Sequence, residues 1–456
     1  MQITVVGAGL VGPLLSLFLA RRGYTVRMLE GRSDPRIKTA DSEGRSINLT
    51  LATRGWKALA ALGLADQVQR LSVPLRGRRI HHEDGSTSFQ PYGQRGEAIA
   101  SIRRADLNAV VLDAAEHAAG VRIDFRRKCT RIDVDHGDME TEDLTTGVRT
   151  LERASPIIAC DGAFSIAHGI TRGPLATPVM EVTREIAAIG YKELRIPAGR
   201  EGSCVFEHNA LHLWPRGRHV LIGFPNVDGS LSASLFLPHD GPFPSLATLQ
   251  TPDDLRRLFE RDFADALAVM PHLYDDFFAN PTGKLYTVRV SPWRADGKLL
   301  LIGDSAHAMV PFLGQGLNCG FEDCVTLAAC FDRHPRGDWR AIFAEFEHRR
   351  KDDCDAVTQL ALRHYLEISE SVRDPQFLWR KSIEQRLYAE YAGRLFPFYA
   401  MVTFTDMPYR AVHDHAQRMD EVVDQLTRIE QLEERWNTPA VRAVIDSLLT
   451  SVASAA

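Results

Sequence analysis

The strongest chemical signal lies near the beginning of the chain, where Gly7-Ala8-Gly9-Leu10-Val11-Gly12 follows an apolar run. In this spacing Gly7 permits a tight turn, Gly9 lets the backbone approach a pyrophosphate, and Gly12 lets a helix pack closely on a strand. Glu30 follows about 20 residues later and can accept hydrogen bonds from ribose hydroxyls. The alternative, a glycine-rich structural turn, does not explain Glu30, so the segment predicts dinucleotide binding.

Two later segments also place acidic residues directly after apolar runs. Ile157–Ala159 leads into Cys160-Asp161-Gly162, and Lys298–Ile302 leads into Gly303-Asp304-Ser305-Ala306-His307. The following string, Pro311–Asn318, turns into a helix whose positive N-terminal end could stabilise negative charge on a flavin. Asp304 could hold ribitol hydroxyls, so these features favour FAD over NAD. His307 by itself is more typical of a satisfied turn histidine than of a base.

The elements that must position these residues alternate between strand and helix. A strand at Ile3–Val6, a helix through Arg22 with Gly23 as its C-cap, and a second strand at Thr25–Leu29 are predicted. Such alternation is typical of a doubly wound sheet, which binds ligands at the carboxyl ends of its strands.

The middle of the chain, from about residue 185 to 290, shows short alternating runs instead. Leu211–Trp214, Val220–Phe224 and Ser232–Leu237 are separated by turn residues, which predicts an antiparallel-sheet domain inserted into the nucleotide-binding one. From Trp339 onward the pattern is helical. Apolar residues at steps of three and four predict one amphipathic helix over the core rather than a partner or membrane helix. They are Met419, Val422, Val423, Leu426, Ile429 and Leu432.

Composition excludes several classes of protein. The formal net charge of −5 gives no general attraction for nucleic acid or anionic lipid. Cysteines at positions 129, 160, 204, 319, 324, 330 and 354 have no structural-zinc spacing, so reduced, mostly buried thiols and no metal are expected. There is no secretory leader, and no apolar stretch reaches the roughly 18 to 20 residues of a spanning helix. A cytoplasmic protein without a membrane anchor is therefore expected, with a homodimer as one open alternative for its assembly.

Short strings over nearly the whole chain carry a family resemblance. They are Asp34-Pro35-Arg36, Gly44-Arg45-Ser46-Ile47-Asn48-Leu49, Arg76-Gly77-Arg78, Gln90-Pro91-Tyr92-Gly93, Ser101-Ile102-Arg103-Arg104, Gly190-Tyr191-Lys192-Glu193-Leu194, Asn209–Pro215, Pro281-Thr282-Gly283-Lys284-Leu285 and Met401-Val402-Thr403-Phe404. In this shared order, and with the nucleotide-binding segments, they resemble the kynurenine 3-monooxygenase family of single-component flavin hydroxylases.

The resemblance implies an activity and a fold. The chain would use FAD, NADPH and O2 to hydroxylate kynurenine, or a ring-substituted kynurenine-like amino aromatic, at the 3-position through a flavin C4a-hydroperoxide. The fold class is α/β, with a Rossmann-type FAD-binding domain like that of para-hydroxybenzoate hydroxylase. We assign residues 1–72, 98–180 and 284–375 to this domain, 73–97 and 181–283 to an inserted antiparallel-sheet substrate domain, and 376–456 to a C-terminal helical region.

The resemblance also implies roles for individual residues. The residues expected to bind FAD are Gly7, Gly9, Leu10, Val11, Gly12, Glu30, Arg32, Arg45, Arg104, Asp161, Asp304, Gly316, Leu317 and Asn318. Arg78, Tyr92 and Tyr399 match positions that grip the amino-acid end of kynurenine, and Arg78 is suited to a bidentate carboxylate pair. Phe312 and Gln315 would wall the aromatic ring. No side chain is assigned a catalytic role, because the flavin carries the chemistry.

Three positions depart from the family pattern. Leu313 and His364 stand where the family usually has His and Asn beside the substrate, and His168 stands where Arg is common. The first two changes favour an altered ligand or binding mode, so a hydroxylase of another indole- or anthranilate-derived aromatic is one alternative. A flavin oxidase or halogenase is another, although the Trp-x-Trp-x-x-Ile string typical of halogenases is absent. A non-catalytic nucleotide-sensing protein is a third.

Overall fold

The computed structural model of the protein describes residues 1–37, 47–93, 96–154, 156–172, 177–369 and 375–453. Its strands are β1 Gln2–Val6, β2 Thr25–Glu30, β3 Asn48–Leu51, β4 Val73–Leu75, β5 Gly77–His81, β6 Thr87–Pro91, β7 Ile99–Arg103, β8 Val121–Phe125, β9 Arg127–Asp133, β10 Asp138–Asp143, β11 Arg149–Arg153, β12 Ile157–Ala159, β13 Thr171–Arg172, β14 Thr177–Pro178, β15 Glu181–Ile196, β16 Ala210–Pro215, β17 Val220–Pro225, β18 Leu231–Pro238, β19 Gly283–Ser291, β20 Arg294–Ala295 and β21 Leu299–Leu301.

The helices are α1 Val11–Ala20, α2 Thr53–Ala61, α3 Ala65–Arg70, α4 Arg104–Glu116, α5 Pro252–Asp262, α6 Ala264–Leu267, α7 Leu273–Ala279, α8 Asp304–His307, α9 Gly316–Arg333, α10 Trp339–Ser369, α11 Pro375–Glu390, α12 Phe398–Phe404, α13 Tyr409–Thr427, α14 Leu432–Arg435 and α15 Pro439–Ala453. A short 3-10 turn at Pro311–Leu313 precedes α9.

The predicted doubly wound unit is a six-stranded sheet in the order β20-β21-β12-β1-β2-β8. All neighbouring pairs are parallel except the edge pair β20–β21. Central strand β1 is buried from Ile3 to Val6 and mostly apolar, as expected for a parallel strand covered on both faces. Helix α1 packs against α4 and α9, so the sheet, these helices and the first nucleotide-binding turn form one rigid frame.

The predicted inserted domain is a seven-stranded sheet in the order β19-β15-β18-β17-β16-β5-β6. Its pairs are antiparallel except β5–β16, which is parallel. In β18 alternate residues Leu231, Ala233 and Leu235 face a core shared with α5 to α7. Phe236 points to the other face and joins the main core, so this sheet separates its own core from the side that faces the FAD-binding domain.

The C-terminal region is helical, as predicted, but the single amphipathic helix expected through Leu432 is wrong. Helix α13 ends at Thr427, and Leu432 begins the separate short helix α14. Gln431 lies between them with φ of 51°, a left-handed conformation that an α-helix cannot contain. The periodic residues still share one buried cluster with α11 and α15, because Ile429 and Leu432 fold back onto the same core.

Across the described ranges, the search for a helix both long and apolar enough to cross a bilayer finds none. The expectation of buried thiols is met at six cysteines, while Cys204 is half-buried.

Candidate active site

The glycine turn after β1 is sterically constrained at two of its three glycines. Gly7 has φ of 101°, and a Cβ there would lie 2.6 Å from the Cys160 carbonyl oxygen. A Cβ on Gly12 would lie 2.0 Å from the Gly7 oxygen, so neither position can take a side chain without moving backbone. Around Gly9 there is nothing within 4 Å, which is the open approach that a pyrophosphate requires.

Glu30 ends β2 and ties this turn to the residues after the strand. Its carboxylate accepts hydrogen bonds from the Ala8 N–H at 2.9 Å, the Arg32 N–H at 2.9 Å and the Arg32 Nε–H at 2.9 Å. Burial alone would raise the pKa of Glu30, but the bonds from Arg32 outweigh it and lower the pKa. The Arg32 guanidinium is mostly exposed. A ribose hydroxyl could therefore replace it as a hydrogen-bond donor to the ionised Glu30 carboxylate.

The strand register brings the two later acidic turns to the same sheet edge. Val6 pairs with Ala159, and Ala159 pairs with Leu301, so the turns after β1, β12 and β21 lie side by side. Asp304 is exposed at this edge. Asp161 is half-buried, and one carboxylate oxygen accepts from the Ile166 N–H at 2.9 Å. Its other oxygen has no partner among the described residues, and burial raises the pKa of the carboxyl.

The N-terminus of α9 is held in place by Asn318. Its side-chain oxygen accepts from the Ala52 N–H at 2.8 Å, and its amide donates to the Thr50 and Gly314 oxygens at 2.9 Å each. A Cβ on Gly314, which has φ of 66°, would lie 2.4 Å from the Thr50 hydroxyl. The Asn318 side chain is therefore a brace for the turn, and what Gly316, Leu317 and Asn318 can offer a cofactor is the free N–H groups of the first helical turn.

Two further predicted flavin contacts are arginines. Arg104 begins α4 with an exposed side chain, and its N–H donates to the Ile47 oxygen at 3.0 Å. Its charge lowers the pKa of Tyr191, against a larger raising effect of burial, so it lies near the sheet domain. Arg45 lies outside the described residues. Leu10 and Val11 form the start of α1 beside the glycine turn.

Four predicted substrate residues, Arg78, Tyr92, His364 and Tyr399, come together and are called the head-group pocket below. The Arg78 guanidinium carbon lies 4.8 Å from the Tyr399 ring centre and 5.4 Å from that of Tyr92. The two tyrosine rings stack at 5.5 Å, and His364 lies 5.9 Å from Tyr399. These residues come from β5, the end of β6, α10 and α12, so the pocket joins the substrate sheet to the C-terminal helices.

The head-group pocket contains buried polar atoms that are not hydrogen-bonded. Arg78 Nε, the Tyr92 hydroxyl and both His364 ring nitrogens have no partner among the described residues. The nearest carboxylate oxygen to His364, on Glu367, is 3.7 Å from Nδ1, too far for a hydrogen bond. Buried polar groups are almost always satisfied in folded proteins, so this cluster requires a ligand or water. The Arg78 guanidinium, which lies against two tyrosine rings and has no ion-pair partner in the described ranges, favours an anionic ligand.

Burial lowers the pKa of His364. The Arg78 charge lowers it further, while Glu367 acts in the opposite direction. His364 is therefore neutral at neutral pH, and it can offer both a donor and an acceptor to a ligand that carries an ammonium and a carboxylate group.

The neighbouring wall of the site is aromatic. Phe312 stacks on Tyr365 with ring centres 5.0 Å apart and lies 5.1 Å from Phe236. Leu313, the next residue, is only 2% exposed and belongs to the main core. The buried Gln315 oxygen accepts from the Tyr409 hydroxyl at 3.1 Å, so its side chain is directed to the C-terminal helices in this structure.

Phe236 was not singled out from the sequence, although β18 carries a signal for it. The strand places Leu231, Ala233 and Leu235 on one buried face, while Ser232, Ser234 and Phe236 form the other. A large aromatic residue on an otherwise small and polar face indicates that something apolar packs there. Tyr365 directly follows His364, and as a large aromatic residue it could also have been included among the candidate site residues.

His168, one of the departures from the family pattern, is hydrogen-bonded to an arginine of a neighbouring strand. His168 Nε2–H donates to the Ser305 oxygen at 2.7 Å, and its Nδ1 accepts from the Arg184 guanidinium at 3.0 Å. Arg184 also donates to the Ala163 oxygen at 3.1 Å and lies over the exposed Phe164 ring at 4.7 Å. A guanidinium from β15 is thus brought to the Asp161–Gly162 segment, where the family commonly has an arginine in the segment itself.

Comparisons with known proteins show relatives that match most of the chain. A family model described as an FAD binding domain matches residues 1–361. Kynurenine 3-monooxygenase of Myxococcus xanthus is 42% identical over 426 residues, 93% of this chain and 90% of that protein. Kynurenine 3-monooxygenase of Xanthomonas axonopodis pv. citri is 42% identical over 449 residues, 98% of this chain and 97% of that protein.

A solved structure extends the comparison to the fold. The tetrameric form of 2-methyl-3-hydroxypyridine-5-carboxylic acid oxygenase superposes with a TM-score of 0.62. It is 19% identical, with 88% of this chain and 95% of that chain covered. At that identity the likeness shows the fold alone, which is that of an FAD-binding monooxygenase.

Proposed function

Because the chain belongs to the kynurenine 3-monooxygenase family of FAD-dependent monooxygenases, we propose that it hydroxylates kynurenine, or a ring-substituted kynurenine, at the 3-position with NADPH and O2. The head-group pocket is the observation that carries this proposal. It offers a guanidinium, a phenol and an imidazole whose buried polar atoms have no partner in the described part of the chain. An α-amino acid supplies the carboxylate and ammonium groups that such a pocket can satisfy.

The residues divide the substrate into two ends. Arg78 binds the carboxylate, with Tyr92 and His364 completing its hydrogen bonds. The aromatic ring of the substrate is received by the wall of Phe312 and Tyr365, and Tyr365 directly follows His364 on α10. Since Leu313 is buried in the core, it offers the ring no polar partner, which favours a ring with an apolar substituent over one that needs an extra hydrogen bond.

The FAD fits the residues that the strand register brings together. Gly9 leaves room for the pyrophosphate, Glu30 can accept from the adenosine ribose, and the exposed Asp304 can hold the ribitol hydroxyls. When bound, FAD supplies the redox chemistry that activates O2 for transfer to the ring. The chain's own part is to orient the ring, to keep water out with aromatic side chains, and to hold the amino acid at Arg78. An ortho amino group on the substrate activates the ring, so no general base is assigned.

NADPH docking is proposed at the surface beside Asp161–Gly162. Arg184 and His168 support this location, because the guanidinium is exposed there and is oriented by two hydrogen bonds. A guanidinium is suited to the phosphate groups of NADPH.

The deciding experiment is a panel of ring-substituted kynurenines, plain kynurenine and anthranilates given to the purified flavoprotein with NADPH. We expect NADPH oxidation that is stimulated by kynurenines, with one oxygen atom added to the ring by mass spectrometry. Oxygenation of anthranilates but not of kynurenines would favour the alternative hydroxylase of another indole- or anthranilate-derived aromatic. NADPH oxidation without oxygenated product on any of these ligands would contradict the proposal.

A further inference from the structure

A second buried polar region lies behind the N-terminus of α9, away from the head-group pocket. It consists of His307 on α8, Cys319 and Asp323 on α9, and Arg350 and Cys354 on α10, and is called the charge cluster below. Both sulfur atoms belong to side chains that are fully buried. Neither the proposed FAD site nor the proposed substrate site uses these side chains.

The ionic groups of the charge cluster satisfy one another. Asp323 accepts from His307 Nε2 at 2.6 Å, from Arg350 Nε at 2.7 Å and from the Gly303 N–H at 3.2 Å. Burial lowers the pKa of His307, but the Asp323 carboxylate outweighs it and raises the pKa to about 9. Burial raises the pKa of Asp323, but His307 and Arg350 bring it down to about 2. At neutral pH both groups are therefore charged.

The two sulfur atoms are the reactive groups that remain. Cys319 Sγ lies 3.5 Å from Cys354 Sγ and 3.3 Å from the Arg350 guanidinium. Burial would raise the pKa of the Cys319 thiol, but the bond from Cys354 and the charges of His307 and Arg350 outweigh it and lower the pKa. Burial raises the pKa of Cys354. These groups therefore favour the thiolate at Cys319 over that at Cys354, and the thiolate is the form of a cysteine that attacks an oxidant.

A metal ion is the alternative occupant of these ligands. The ligand atoms of His307, Cys319, Asp323 and Cys354 lie within 4.8 Å of one another, which suits zinc in size. However, His307 and Asp323 are hydrogen-bonded to each other, and the Arg350 cation contacts both Asp323 and Cys319. A divalent cation would have to displace that guanidinium from a fully buried position, so the charges favour a site without metal.

We propose that Cys319 and Cys354 are a redox-active pair that closes into a reversible disulfide between α9 and α10. A disulfide has an S–S distance near 2.05 Å, so the sulfurs need to approach by about 1.5 Å. Hydrogen peroxide is the oxidant. The Cys319 thiolate attacks one peroxide oxygen, an S–O bond forms, the O–O bond breaks and hydroxide leaves.

The second step consumes the neighbouring thiol. Cys354 sulfur attacks the sulfenic sulfur of Cys319, an S–S bond forms, and the sulfenic hydroxyl leaves with the Cys354 proton as water. The hydroxide of the first step takes up the proton that Cys319 lost on ionising, so in sum two thiols and one peroxide give one disulfide and two waters. A dithiol reductant reverses the cross-link by thiol–disulfide exchange.

The position of the pair defines what the cross-link changes. Cys319 lies in the first turn of α9, next to the residues proposed to face the flavin, and α10 also carries His364 of the head-group pocket. The disulfide closes a loop between residues 35 positions apart, which stabilises the folded chain by restricting the unfolded one. It also removes the ionisable Cys319 thiol from its contact with Arg350.

The test treats the FAD-loaded full-length protein with hydrogen peroxide, then denatures and alkylates it for intact-mass and peptide analysis. We expect two of the seven thiols to become unreactive, a Cys319–Cys354 peptide to appear, and dithiothreitol to restore both thiols. The melting temperature should rise on oxidation and return on reduction. Seven reactive thiols after oxidation, or a cross-link between other cysteines, would overturn the proposal.

Two variants and a metal assay complete the test. Cys354→Ala should lose the cross-link and leave Cys319 as a sulfenic acid that dimedone traps. Cys324→Ala, at another fully buried cysteine of α9, should keep the cross-link unchanged. One equivalent of zinc in the purified protein, lost together with the protection of both thiols on chelation, would show a metal site and overturn the disulfide. Because the wild-type protein supplies the peptide map, a poorly folding variant does not remove the test.

Discussion

Helix α10 contributes to two buried polar regions, which differ in whether the protein supplies an anion for the buried cation. In the charge cluster, Arg350 and His307 are paired with Asp323 by bonds of 2.6 to 2.7 Å. In the head-group pocket, Arg78 has a buried nitrogen without a partner, and so has His364, among the residues that the structure describes. The comparison separates two uses of a buried cation. Where the protein supplies the anion the cation holds helices together, and where it does not the anion must come from a ligand.

The largest effect is expected from a substitution in the charge cluster. Arg350→Ala should lower the free energy of unfolding by about 3–5 kcal/mol, because it leaves Asp323 charged and buried without its guanidinium partner. Denaturant unfolding monitored by circular dichroism measures the change. The control is Arg349→Ala, whose surface pair with Glu345 should contribute less than about 1 kcal/mol. Equal effects of the two variants would show that burial of the pair does not matter.

The matching substitution in the head-group pocket should weaken substrate binding without lowering the stability of the fold. Arg78→Ala should raise the apparent substrate constant by roughly ten- to hundredfold, since a charge-assisted bond to a carboxylate is worth about 1.5–3 kcal/mol. The free energy of unfolding should stay the same or increase, because an unpaired buried charge is removed. Arg78→Lys should recover only part of the binding.

The control for this variant is the nearby exposed residue Arg76. Arg76→Ala should leave both steady-state constants and stability unchanged. An Arg78→Ala protein that unfolds more easily but binds kynurenine normally would mean that the pocket is structural, and that the contrast between the two regions is mistaken.

A third prediction concerns the cofactor. Glu30→Ala should weaken FAD binding by about 1–3 kcal/mol, because it removes a charged acceptor from the ribose position and frees the Ala8 N–H. Flavin fluorescence during titration of the apoprotein measures the Kd. Glu83→Ala, at an exposed position of the substrate sheet, is the control. Undiminished FAD affinity in Glu30→Ala would remove the ribose role from this residue.

The most gradual effect is the pH dependence of stability, and here the two regions should differ in sign. The pKa of His307 is raised to about 9 by Asp323, so its contribution is full below its ordinary value of 6.5 and is lost as pH rises through about 9. Burial lowers the pKa of His364, so its contribution is present above 6.5 and is lost as pH falls through its folded value. Either slope is at most about 1.4 kcal/mol per pH unit.

Variants separate the two slopes. His307→Gln should flatten the alkaline limb of unfolding free energy against pH, and His364→Asn should flatten the acid limb. The groups facing His307 are Asp323, Cys319 and Arg350, and those facing His364 are Glu367, Arg78 and Lys381. If His364→Asn changed the alkaline limb instead, the assignment of its neutral state would be refuted.

The local parts of the fold could be predicted from the sequence because each depends on neighbouring residues. The turn from Gly7 to Gly12 and the strand Ala210–Pro215 lie where glycine spacing and alternation predict them. The end of α13 could not be predicted, because Ile429 and Leu432 keep the helical period although the helix ends at Thr427. The domain boundaries and the residue roles remain proposals.

The candidate sites show the same division. From the sequence, only the family resemblance predicts that Arg78 and Tyr399 lie in one site, since nothing in their spacing indicates a contact. The sequence predicts reduced, mostly buried thiols and does not predict that Cys319 and Cys354 meet, because a separation of 35 residues carries no periodic signal. Their proximity follows from the packing of α9 on α10.

What the sequence determined by itself was therefore the chemistry that short segments carry. The glycine turn requires specific backbone angles, and strand and helix periods place apolar residues on one face. Only the tertiary structure decided which charges are paired. Whether a buried arginine meets an aspartate, as Arg350 does, or two tyrosine rings, as Arg78 does, depends on how distant elements pack. The free-energy cost of burying a charge depends on those neighbours. That Arg78 needs an anion from a ligand is therefore apparent only from the folded chain.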